Sequence, residues 1–96
     1  MMKMDIQQFA SVWDALEDSP AATASMKARA DMMIAIRGAI QEWDVTQAIA
    51  AQRLGLTQPR MNDLLRGRIN KFSLDMLIDL ATRAGLSVRV EVQPAA

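Results

Sequence analysis

Residues 46–67 read TQAIAAQRLGLTQPRMNDLLRG, and this stretch decides the fold. Its spacing predicts two short helices joined by a tight turn. Thr46 is placed to cap the first, its hydroxyl accepting from a backbone N–H two or three residues on. Leu54-Gly55-Leu56 closes that helix, with Gly55 supplying the positive φ such a turn needs. Thr57 caps the second helix. Pro59 falls in its first turn, where a missing N–H costs no hydrogen bond. Gly67 marks its end. Two helices so arranged leave the second able to lie in the major groove of DNA.

Thr46-Gln47, the small Ala51, Leu54-Gly55, Thr57-Gln58 and Leu65-x-Gly67 together resemble the Xre/Cro/CI-type helix-turn-helix proteins. The wider pattern, from MIAIRGAIQEW (residues 33–43) through FSLDMLIDLATRAGLSVRVEV (residues 72–92), looks like the HigA-type antitoxin branch of that family. The resemblance covers about Met26 to Gln93. It implies an all-α, five-helix, lambda repressor-like domain with a short C-terminal β-strand. It also implies double-stranded DNA as a ligand and, as a protein partner, a HigB/RelE-like toxin that cleaves mRNA. One position departs from the pattern. The family often has Glu three residues after the capping Thr, closing a reciprocal capping box; Ile49 stands there instead and leaves an apolar contact point on the first helix of the pair.

The 96 residues suit one modest core. No apolar run approaches the length that crosses a bilayer, and MMKMDIQQF lacks the charged-then-apolar order of a signal peptide. A cytoplasmic protein with no membrane partner is expected. Cysteine and histidine are both absent. That excludes disulfides, cysteine metal sites, the commonest general base and the commonest nitrogen ligand. No metal site and no cofactor are expected. The four glycines are scattered rather than gathered in a phosphate loop, and Glu17-Asp18 reads as a solvated pair at a helix end, so an enzyme is not expected.

The 11 basic and 11 acidic residues cancel, but their distribution does not. Arg53, Arg60, Arg66, Arg68 and Lys71 cluster in and after the helix-turn-helix, opposed there only by Asp63. Asp5, Asp14, Glu17 and Asp18 face only Lys3 near the start. Phosphate binding follows the local patch, not the total.

Periodicity divides the remainder. A helix is predicted from about Ile6 to Glu17, with Phe9, Trp13 and Leu16 on one face as core or as a partner-gripping surface. Residues 1–19 form an N-terminal helical arm, and residues 20–96 the helix-turn-helix domain. Ser19-Pro20 caps and starts a helix over about Ala21 to Glu42, with Met26, Met33, Ile36, Ile40 and Trp43 as its buried stripe. Gly38 weakens that helix by ~1 kcal/mol relative to Ala and leaves room for close packing. Trp43-Asp44-Val45 is a short connection, and residues 69–72 a loop. Ser73 caps a last helix, Asp75 in its first turn and Arg83 in its last favouring its dipole; Leu74, Leu77, Ile78 and Ala81 face the core. Methionine at helical spacing reads as core filling.

On the second helix of the pair, Gln58, Arg60, Asn62 and Asp63 are the polar positions and Met61, Leu64 and Leu65 the buried ones. Arg grips guanine and Gln or Asn grips adenine, each with two bonds. Asp63 accepts from cytosine or orients Arg60 or Arg66. By resemblance, Gln58 reads bases and Gln47 touches the DNA backbone, at a helix start that already favours phosphate. Thr57 reads first as a cap alone, with an added phosphate contact as the alternative. Arg66, Arg68 and Lys71 reach flanking phosphates or else satisfy helix carbonyls.

Residues 87–93, SVRVEVQ, alternate strictly, with Val88, Val90 and Val92 on one face. No second strand pattern exists to receive them. The simplest partner is the same strand of a second copy, giving a homodimer on a palindromic operator; a toxin edge or a frayed tail are the alternatives. The leading reading is an autoregulating antitoxin repressor. The others are a solitary prophage-type regulator and a protein-interaction module that has lost DNA binding.

Overall fold

The computed structural model describes residues 19–95, with four α-helices among them. They are α1 (Pro20–Trp43), α2 (Gln47–Leu54), α3 (Gln58–Leu65) and α4 (Leu74–Arg83), with a single 3-10 turn, Ile69–Lys71, before α4. The predicted helix over Ile6 to Glu17, and with it the five-helix count, lies outside the described residues. None of the described helices is long and apolar enough to cross a membrane.

Each helix begins where a short polar side chain replaces the hydrogen bonds its first turn lacks. Ser19 Oγ accepts from Ala22 N–H at 3.2 Å, Thr46 Oγ1 from Ile49 N–H at 3.2 Å, Thr57 Oγ1 from Arg60 N–H at 3.3 Å, and Ser73 Oγ from Met76 N–H at 3.1 Å. Helix ends are equally local. Gly55 takes φ 72° and ends α2, and Gly67 and Gly85 follow α3 and α4 at φ 70° and 86°. At the end of α1 the residue in the left-handed region is Asp44, φ 53°, which the sequence marks only as connection.

Met33 and Ile36 of α1 meet Ala50, Ala51 and Leu54 of α2, Met61 and Leu64 of α3, and Leu77, Leu80 and Ala81 of α4 in one apolar cluster. Burying each large side chain of this set contributes on the order of 1.5–3 kcal/mol. Phe72 belongs to it as well, although the sequence places it in a loop. Arg29 of α1 explains how that loop is held: its Nη1 donates to the Ile69 and Phe72 carbonyls at 3.2 and 3.3 Å. The Ile69 carbonyl also accepts from Phe72 N–H at 3.2 Å, so Arg29 adds a second donor there and fastens the turn to α1.

Two expectations need correction. Gly38 is not a packing glycine, because a Cβ built there meets nothing within 4 Å. The C-terminal β-strand is not formed: residues 86–95 are extended, but among the described residues there is no strand. Leu86 N–H still bonds to the Ala81 carbonyl at 2.9 Å; no backbone bond is recorded beyond it among the described residues. Val88 packs at the edge of the core, whereas Val90 and Val92 are 74% and 88% exposed. The physical reason is that a strand completes its hydrogen bonds on a neighbouring edge, and the described residues offer none.

Candidate nucleic-acid interface

Eight residues of α3 follow a tight turn set by two adjacent devices, the left-handed Gly55 and the Thr57 cap. Met61 and Leu64 are wholly buried and fix the rotation of the helix about its axis. At 3.6 residues per turn, that rotation turns Pro59, Asn62, Asp63 and Arg66 away from the core. Gln58 lies on the flank of this outward face, one turn before Asn62. Gln58 and Arg66 are exposed, and Asn62 and Asp63 are half-buried. A helix so capped presents polar side chains able to bond base edges in a groove.

Arg60 lies on the opposite flank, beside α4, and the fold uses it. Its Nη1 donates to the Lys71 carbonyl at 2.9 Å, its Nη2 to the Met76 sulfur at 2.8 Å, and its guanidinium lies 4.2 Å from the Phe72 ring centroid. These contacts tie α3 to the segment that leads into α4. Sequence spacing places Arg60 with the base-facing residues; the structure places it at the edge of that face, engaged by the protein.

Asp63 accepts from Arg68 Nη1 at 3.1 Å, and its carbonyl accepts from Arg68 N–H at 3.1 Å. Its partner is therefore Arg68, not Arg60 or Arg66. The carboxylate is 15% exposed and the arginine 46%, so the pair contributes at most about 1 kcal/mol, but it holds the arginine beside the end of α3. Arg66 and Lys71 are exposed, and residues 67–71 line a shallow depression of about 350 Å³.

Gln47, in the first turn of α2, borders a groove of about 410 Å³ with Met61 and Leu65 of α3 and Arg37 of α1. α2 carries no acidic residue in that first turn, which keeps the partial positive charge of its free N–H groups. Arg37 is the cation that sequence spacing does not connect to the site. It also borders the pocket below Gly67, where a Cβ would sit 3.6 Å from its Nη1. Thirty residues of chain separate it from Gly67, so no local pattern brings the two together. Arg53, counted with the basic cluster, stacks instead on Trp43, 5.0 Å from the ring centroid.

The capped pair of short helices, the outward polar face of α3 and the surrounding cations define a class. A family model described as a helix-turn-helix domain matches residues 15–93, and the chain belongs to that family of DNA-binding domains. No curated protein matches the chain.

Proposed function

We propose that this protein is a sequence-specific transcriptional repressor that docks α3 in the DNA major groove. The observation that carries this is the outward face of α3, where Asn62 and Asp63 follow Pro59 and Gln58 lies on the flank, with the cations Arg66, Arg68 and Lys71 at and beyond its end. In this reading Gln58 and Asn62 bond base edges, with Asp63 at the margin and held by Arg68. Gln47, Thr57, Arg66, Arg68 and Lys71 meet phosphates, and Arg37 joins them. Arg60 sets the angle of α3 and meets DNA with the N–H groups its internal contacts leave. Residues 20–96 are the DNA-binding unit and residues 1–19 an arm.

The repressor acts as a homodimer on a palindromic operator in its own promoter, Val88, Val90 and Val92 supplying the contact between copies. The role as an antitoxin that neutralises a HigB/RelE-like toxin is supported by the sequence resemblance to HigA-type proteins.

Fluorescence anisotropy against the DNA upstream of its own gene tests the DNA reading, with a scrambled duplex as control and two salt concentrations. A native site bound about 10³-fold tighter than the scramble, with Gln58→Ala and Asn62→Ala each erasing about 1–3 kcal/mol of that margin, supports it. Equal, weak, salt-sensitive binding to both duplexes removes autoregulation and favours the interaction-module alternative.

A further inference from the structure

The extended C-terminal segment has a symmetry that ordinary alternation does not require. Around Val90 the sequence runs Val88-Arg89-Val90-Glu91-Val92. Reversing it keeps every valine on a valine and exchanges Arg89 with Glu91. We propose that two copies of this chain pair these segments antiparallel with the two-fold axis at Val90, forming the strand that one copy alone does not form. The inference rests on the dimer reading above and adds its register and its charge code.

In an antiparallel pair, directly opposed residues share a face. With the axis at Val90, Val88 opposes Val92 of the second copy and Val90 opposes Val90, so all six valines share one face. On the other face Arg89 opposes Glu91 of the second copy, and Glu91 opposes its Arg89, giving two ion pairs. An axis at Arg89 sets arginine against arginine. An axis at Glu91 sets glutamate against glutamate. A slip by half a step sets valine against charge along the whole ladder, and parallel in-register pairing stacks like charges. One register satisfies both faces.

The rest of the molecule suits the same occupant. Beside the segment, Ala28 and Met32 of α1 and Leu74 and Ile78 of α4, with Asp31 among them, line a groove of about 380 Å³ that Val88, Arg89, Val90 and Glu91 border. Val88 is already packed at the core edge, and Val90 borders the groove while remaining largely exposed. A second strand laid alongside brings its Val92 opposite Val88 and covers the groove. It also gives the extended backbone a partner edge and removes the exposed Val90 and Val92 from water.

The test is a charge-swap cycle on the full chain, read by sedimentation velocity over a range of concentrations, with circular dichroism to confirm helical content. Wild type is expected to dimerise. R89E sets glutamate against glutamate twice, E91R sets arginine against arginine twice, and each is expected to raise the dimer Kd at least about tenfold. An equimolar mixture of R89E and E91R restores two opposite-charge pairs and is expected to form the heterodimer at near wild-type affinity; R89E/E91R is expected to self-associate again. If wild type dimerises and the single variants do so equally well, the Val90-centred register is overturned while the dimer stands. If the single variants weaken association and the mixture does not rescue it, the pairing code is likewise overturned. If wild type stays monomeric at the highest concentration, the dimer reading and this inference both fall.

Discussion

The turn between α2 and α3 and the segment after α4 carry equally regular sequence signals, yet among the described residues only the turn is formed by the chain alone. The turn is built from Gly55, Thr57 and Pro59, each acting on backbone groups within a few residues. The C-terminal segment has an equally regular pattern in Val88, Val90 and Val92, but no strand results. A helix closes its hydrogen bonds inside itself; a strand cannot. Regular patterning therefore specifies a helix outright and specifies a strand only together with its partner.

The largest effect that would sharpen this contrast is in the core beneath α3. Leu64→Ala removes a fully buried side chain and should cost about 2–5 kcal/mol in chemical denaturation. A cost under about 1 kcal/mol would mean α3 is not anchored by that contact. Next is the turn itself. Gly55→Ala forces a Cβ into φ 72° and places it 2.8 Å from Arg83 Nη1. The arginine end can swing aside, so the expected loss is the left-handed strain of about 1–2 kcal/mol, visible as a lower melting temperature.

Arg60→Ala separates a fold role from a DNA role. Losing the contacts to Phe72, Lys71 and Met76 should lower stability by about 1 kcal/mol without any DNA present. Unchanged stability with lost operator binding would return Arg60 to the base-reading set. Smaller and opposite in sign, Gly38→Ala in the exposed middle of α1 meets nothing within 4 Å and should stabilise by about 0.5–1 kcal/mol. The smallest effect belongs to the other side of the comparison. Val92→Ala, at 88% exposure, should leave the stability of the single copy within about 0.5 kcal/mol, measured under dilution. A large loss there would show that the segment is already folded against its own chain.

The helix-turn-helix was legible because its signals are local. Four capping side chains, three terminal glycines and the period of Met61 and Leu64 were all placed from spacing alone. Phe72 was less legible: it stands in a non-helical stretch, and it is buried in a core assembled from all four helices, its turn fastened by Arg29, more than 40 positions earlier. Arg37 was missed for the same reason, being remote from Gly67 in sequence and adjacent to it in space.

Sequence by itself determined where each described helix starts, where α2, α3 and α4 stop and which side of α3 is apolar, because caps, glycines and helical period act over a few residues. Tertiary structure alone decided what the polar residues do. Arg60 and Asp63 stand one turn apart on α3, yet packing against Phe72 draws the first into the fold, and the turn after α3 hands the second to Arg68. Which partner a long charged side chain finds depends on what the folded chain brings within about 3–4 Å, and no spacing rule along the sequence encodes that distance.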